Sequence, residues 1–145
     1  MQIRIFGIPA RRAQRGAAMV EFALVAMIFI MIALAIMEFG RWMFTLNAAN
    51  EATRWGARLA AVCSLNDPKI KEKMQSILPV ATAQISVSYS PNGCTAATCQ
   101  TVEVALVDVY FEPLFPFMST GVPVPPFTTT LTRELMNSAG NPACF

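Results

Sequence analysis

The sequence contains no histidine, and only 14% of its 145 residues are charged. The absence of histidine excludes a histidine general base, a Ser-His-Asp or Cys-His catalytic site and any histidine-ligated metal. Hydrophobic residues make up 54% of the chain, which is more apolar sequence than a soluble domain of this size buries. We therefore expect part of the chain to leave water.

Positive charge is concentrated at the N-terminus. Four arginines precede every acidic residue: Arg4, Arg11, Arg12 and Arg15. The rest of the chain contains the other 7 Lys and Arg residues and all 9 Asp and Glu residues. From residue 17 onward the net charge is therefore −2. A nucleic-acid partner is not expected for a body of this charge.

The apolar excess lies in one segment, Ala17 to Met37, whose only charged residue is Glu21. At about 1.5 Å per residue this segment spans roughly 30 Å, the thickness of a bilayer core. A cleaved secretory signal is the competing interpretation, but its apolar core would be shorter, about 7 to 15 residues, and no small-residue cleavage site follows the run. The arginines before the span predict a cytoplasmic N-terminus and an exported remainder.

The helix is predicted to continue beyond the membrane as far as Val62, because this stretch has no proline and its apolar or small residues recur at helical intervals. The expected stripe is Phe39, Met43, Leu46, Ala49, Gly56, Leu59 and Cys63. A helix from about Ala17 to Val62 would be roughly 70 Å long. Glu38 and Arg41 would then stand at the outer membrane boundary, where Trp42 fits the belt of aromatic residues.

Residues 63–145 are predicted to form a small extracytoplasmic domain, which makes the fold class α+β with an antiparallel sheet of about three strands. Asp67 can cap a short helix that begins at Pro68. Alternating patterns and turn residues place the strands at Ile85 to Ser90, Thr101 to Phe111 and Phe127 to Met136. The first two form a hairpin, with a bulge or two-sided burial expected near residues 105–107. The five-proline connection over residues 113–126 is expected to lack regular structure.

Four cysteines in an exported region predict two disulfides, although four cysteines allow three pairings. Cys94 and Cys99 are the local choice, because they would close a small loop at the hairpin tip. That choice leaves Cys63 for Cys144. A metal site is disfavoured because no second compact cysteine pair matches the C-x4-C spacing, and the C-x-x-C spacing of redox enzymes is absent. We expect neither a metal nor a cofactor.

The segment RGAAMVEF, Arg15 to Phe22, carries the most distinctive chemistry. An unpaired acid in a membrane helix costs about 2.5 to 3.5 kcal/mol on insertion scales, and less near an interface. Cleavage after Gly16 would supply a partner, because the new α-amine of Ala17 would lie one helical turn from Glu21. The alternative is that Glu21 reaches the cytoplasmic surface in an uncut anchor.

The same residues carry a resemblance to a known family. RGAAMVEFALV resembles the class III signal of type IV pilins, specifically of the tight-adherence (Tad, Flp-type) pilus. IMEFGRWMF, residues 36–44, and NEATRWGARLA, residues 50–60, are similar to TadE-like minor pilins, or pseudopilins. Many members carry a proline shortly after the glutamate, where this chain has Ala26 and Met27, so no proline kink is expected.

The resemblance implies cleavage between Gly16 and Ala17 by a prepilin peptidase, so that residues 1–16 are a leader and residues 17–62 the assembly helix. Glu21 and Phe22 would be needed for processing or assembly. It also implies a structural, non-enzymatic subunit that joins, primes or tips a filament for surface attachment. Its partners would be other pilin subunits and the inner-membrane assembly proteins. The protein would cross the inner membrane once, with its C-terminal domain in the periplasm or, within a pilus, outside the cell.

Small residues repeat at intervals of seven along the span, at Ala26, Ala33 and Gly40, and would let neighbouring helices pack closely. The first rival interpretation is a permanent single-span scaffold of the pilus machine that does not enter the filament. The second is a membrane-anchored enzyme, which would need a cluster of acids or an activated serine. The acids in or beside the second predicted strand, Glu103, Asp108 and Glu112, make no recognisable site.

Overall fold

The computed structural model describes residues 11–80, 84–114, 121–134 and 136–144, with the side chains of residues 11–15 left out. The described residues divide into two compact units, one up to Phe39 and the other from Gly40 onward. It is an α+β protein with a long apolar N-terminal helix, a short helix and a three-stranded antiparallel sheet, as the sequence predicted.

The long helix, α1, spans Arg11–Val62. Its end agrees with the prediction, but its start lies six residues before Ala17. The physical reason is composition, since residues 11–15 are arginine, alanine and glutamine, all strong helix formers. The bond between Gly16 and Ala17 therefore lies inside a helix.

The buried face of α1 within the second unit is made of small residues. Ala49, Thr53, Gly56, Ala57 and Ala60 are all buried. The predicted stripe is exposed at its first two members, Phe39 (63%) and Met43 (38%), and buried from Ala49 onward. The inward-facing residue of this turn is Trp42, since positions 42, 46, 49, 53, 56, 60 and 63 follow the helical period of 3.6 residues.

The second helix, α2, spans Pro68–Ile77. Asp67 caps it as predicted, because its side chain accepts a hydrogen bond of 3.0 Å from the backbone N–H of Lys69. Ile70 and Met74 are the buried residues of the helix. Leu78 ends it in an extended conformation, one residue before Pro79.

The main sheet contains three strands, β1 (Ile85–Ser90), β2 (Thr101–Leu106) and β5 (Thr128–Thr132). Their order in the sheet is β1-β2-β5, and both neighbouring pairs are antiparallel. The predicted hairpin is present, with Ile85 opposite Leu106 and Ser90 opposite Thr101. The buried residues Val102, Val104 and Leu106 of β2 face the core.

The prediction of one strand from Thr101 to Phe111 was wrong. β2 ends at Leu106, and Tyr110–Phe111 forms a separate strand, β3. It pairs with β4 (Val122–Pro123), so the proline-rich connection does contain a short strand. The backbone turns at Asp108, where φ is 53°. Even-numbered residues of β2 are buried up to Leu106, and the odd-numbered Val109 and Phe111 are buried after the turn. The two strands are thus separated more fully than by a bulge.

The last strand is shorter than the predicted span of residues 127–136. After Thr132 the chain returns to the end of α1, where the N–H groups of Glu134 and Asn137 donate to the carbonyls of Ala61 and Val62. These hydrogen bonds explain why the sheet pairing stops, since the backbone donors are now committed to α1.

Candidate functional site

The candidate site is the N-terminal segment of α1, which carries Gly16, Ala17, Glu21 and Phe22. All four residues are exposed, and Phe22 has 71% of its surface accessible. Because Ala17 and Glu21 are four residues apart on one helix, they lie one turn apart on the same face. The backbone nitrogen of Ala17 therefore lies about one helical turn from Glu21.

The surroundings of Glu21 are apolar. From Gly16 to Met37 no other residue carries a charge, and large apolar side chains are exposed throughout: Met19, Val20, Phe22, Leu24, Val25, Met27, Ile28, Phe29, Ile30, Met31, Ile32, Leu34, Ile36 and Met37. A water-soluble protein rarely exposes so large a continuous apolar surface. Within the described parts of the chain, α1 is the one helix that is long and apolar enough to cross a membrane. It has the length and composition of a membrane anchor.

The predicted packing seam consists of Ala26, Ala33 and Gly40. Ala33 and Gly40 are exposed and Ala26 is half-buried. A Cβ atom added at Gly40 would meet nothing within 4 Å. The close helix packing expected at these positions therefore remains a prediction for an assembled form.

Gly56, in the second half of α1, has the opposite environment. A Cβ added there would lie 2.9 Å from Cγ of Met74 and 3.2 Å from Cγ1 of Val104, with the Met74 sulfur closer still. Gly56 therefore allows α1 to lie directly against α2 and the sheet.

The cysteines occupy two separate places in the second unit. Cys63, one residue beyond α1, is bonded to Cys144, and Cys94 is bonded to Cys99 in the hairpin loop. These are the pairings expected from the sequence. In the residues that the structure covers, no group of three or more Cys, Asp and Glu side chains is arranged to hold a metal ion.

Two aromatic contacts near the start of the second unit were not foreseen. The ring of Trp42 meets that of Phe111 edge to face, with centroids 5.2 Å apart. The guanidinium of Arg41 also lies over the Phe111 ring, 5.2 Å from its centroid. The placement of Trp42 in a membrane belt missed this packing, because no local pattern indicates that a strand nearly 70 residues later returns to this turn.

These features define a class: a chain with an exposed apolar N-terminal helical segment and a small α+β unit. Residues 16–58 match the family model described as TadE-like protein. The match confirms the resemblance indicated by the sequence motifs, and it supports a protein associated with a Tad pilus system. It covers less than half of the chain and stops within α1. No curated protein and no solved structure matches the chain.

Proposed function

We propose that this chain is a minor pilin of a Tad-type pilus, which is held in the inner membrane until it joins, primes or tips the filament. The observation that carries the proposal is Glu21, which is the single charged residue of the exposed apolar segment from Ala17 to Met37 and lies one turn from Ala17. A simple anchor gains nothing from an acid in this position, whereas an assembling subunit can pair it with an α-amine in a helix bundle.

Processing is the first part of the proposal. A prepilin peptidase would cut between Gly16 and Ala17, which removes the basic leader and creates the α-amine. N-terminal sequencing of the membrane-extracted protein should find Ala17 as the first residue. Gly16→Val should leave only full-length protein, while the matched leader variant Gly7→Val should be processed normally. Mature protein that begins at Met1 or Met19 would contradict the proposal.

Entry into the filament is the second part. The rival is a single-span scaffold that stays in the inner membrane, and cleavage alone separates the two only partly. Filaments sheared from the cells and washed free of membranes should contain the chain. Its presence in the membrane fraction together with complete absence from sheared filaments would favour the scaffold.

A further inference from the structure

The exposed apolar surface of α1 does not end with the uncharged run at Met37. It continues through Phe39 and Met43 to Phe44, which is 74% exposed. From residue 45 to residue 54 the exposed residues are polar or charged, namely Asn47, Asn50, Glu51 and Arg54. The next exposed apolar residue of α1 is Trp55. Phe44 is therefore the last residue of the continuous apolar surface.

Phe44 lines a groove of about 700 Å³ within the second unit. Arg41 and Phe44 line the groove from α1. Tyr110 of β3 and Glu112, the residue after β3, also line it. Tyr110 is 58% exposed although the next residue, Phe111, is buried. Successive side chains of a strand point to opposite faces, so the packing of Phe111 under Arg41 turns Tyr110 outward.

The distances along the chain place this groove close to the membrane boundary. Arg41 lies four residues beyond Met37, and Phe44 seven, which correspond to roughly 6 Å and 10 Å along a helix. The headgroup layer adds roughly 5 to 8 Å on each side of the hydrocarbon core. Arg41 thus falls within this layer. The Cα of Phe44 lies about 2 to 5 Å beyond it, and its side chain leans back toward the layer because helical side chains tilt toward the helix N-terminus.

We propose that Phe44 and Tyr110 form an interfacial patch that inserts into the headgroup layer of the bilayer and holds the second unit against the lipid surface. The proposal rests on the membrane-held precursor described above. The ring of Tyr110 with its polar hydroxyl is favoured at this depth, and the ring of Phe44 adds apolar contact. Arg41 and Glu112 keep their charges in the hydrated layer. Trp42 is half-buried against Phe111, so the interfacial aromatic residues are Phe44 and Tyr110 instead.

The two tyrosines of the chain allow a test on the unmodified sequence. Tyr110 belongs to the patch, whereas Tyr89 lies near the far end of β1, opposite Val102, and its hydroxyl accepts a hydrogen bond from the N–H of Asn66. The full chain is labelled with fluorotyrosine and placed in phosphatidylcholine nanodiscs, and Tyr110→Phe assigns the two fluorine NMR signals. Phosphatidylcholine with a nitroxide at the headgroup end of its acyl chain is then added.

We expect the Tyr110 signal to broaden until it is lost and the Tyr89 signal to keep its width. Phe44→Asn should restore the Tyr110 signal, whereas Asn47→Ser, one turn beyond the patch, should not. If the nitroxide lipid leaves the wild-type Tyr110 signal sharp, the proposal is wrong. The alternative is that a second copy of the chain covers the groove. In that case the Tyr110 signal stays sharp with the nitroxide lipid, and a water-soluble paramagnet fails to broaden it only at high protein-to-lipid ratios. Filament entry is measured separately by shearing, so either proposal can fail alone.

Discussion

Two glycines of α1 provide a direct test of the packing of the second unit. Gly56 and Gly40 are both helical, and replacing either with alanine favours the helix by about 0.8 to 1.0 kcal/mol. At Gly40 the new methyl group meets nothing within 4 Å, so this gain is retained. At Gly56 the methyl group meets Met74 and Val104, both fully buried, and overpacking a filled core costs about 1 to 3 kcal/mol.

Gly56→Ala is therefore expected to be less stable than Gly40→Ala by about 1 to 3 kcal/mol, because the helix gain is common to both variants. Thermal unfolding of the full chain in detergent, followed by near-UV circular dichroism, measures this difference. For a unit of about 100 residues each kcal/mol corresponds to roughly 4 to 8 °C in Tm. Gly40→Ala serves as the matched control.

The role of Met74 can be separated from that of the backbone by a double-mutant cycle. Met74→Ala removes the side chain that the new methyl group would meet, so Gly56→Ala should cost less in that background than in the wild type. Equal stabilisation by Gly56→Ala and Gly40→Ala, with no coupling to Met74, would refute the proposed close approach.

Three further predictions concern the disulfides, the cap of α2 and the acid of the span. Cys63→Ser removes the cross-link between two residues 81 positions apart and should lower the stability by about 4 kcal/mol on the chain-entropy model. Cys94→Ser, which opens the short loop, should lower it by about 2 kcal/mol. The Tm of each variant under non-reducing conditions measures the difference. The hydroxyl of Ser138 and a backbone N–H donate to Asp67 and lower the pKa of its carboxyl group. The ionised Asp67 therefore stabilises the folded state above its unfolded pKa of about 3.9, and this stability is lost as the pH falls through the lower folded pKa. Ser138→Ala removes part of this effect, so the Tm of the variant should fall less steeply than that of the wild type as the pH is lowered. An equally steep fall in Tm would contradict this assignment. Glu21→Gln should insert into the membrane but fail to co-purify with filament subunits at matched membrane levels, and recovery equal to wild type would show that this acid does not hold subunits together.

Local sequence signals predicted the elements of this fold well. Asp67 and Pro68 marked the start of α2 because a cap and its first proline act within one turn. The alternation of serine with Ile85, Val87 and Tyr89 predicted β1, because a strand with one solvent face repeats every two residues. The motifs in residues 36–44 and 50–60, together with the signal in residues 15–25, likewise led to the family that the comparison then matched.

Long-range contacts account for the errors. Val107 to Val109 read as a continuing strand, but the left-handed backbone at Asp108 sends the chain into a second sheet. Aspartate adopts this conformation more often than most residues, but one aspartate within an alternating pattern does not predict it. The inward packing of Trp42 was missed because its partner, Phe111, comes from a distant strand. Apolar residues that face the membrane and apolar residues that face the protein core look alike in sequence. Where a helix continues from the membrane into a folded unit, hydrophobicity alone therefore does not show which of its faces is buried in the protein.

The bond between Cys63 and Cys144 has a mechanical consequence. It joins the end of α1 covalently to a residue that follows every strand of the sheet. A tensile load between α1 and Cys144 would pass through this bond and leave the hydrogen bonds of β1, β2 and β5 unstretched. The sheet would therefore keep its shape under traction along this path, whereas a pull at the hairpin loop would load the β1 and β2 pairing directly.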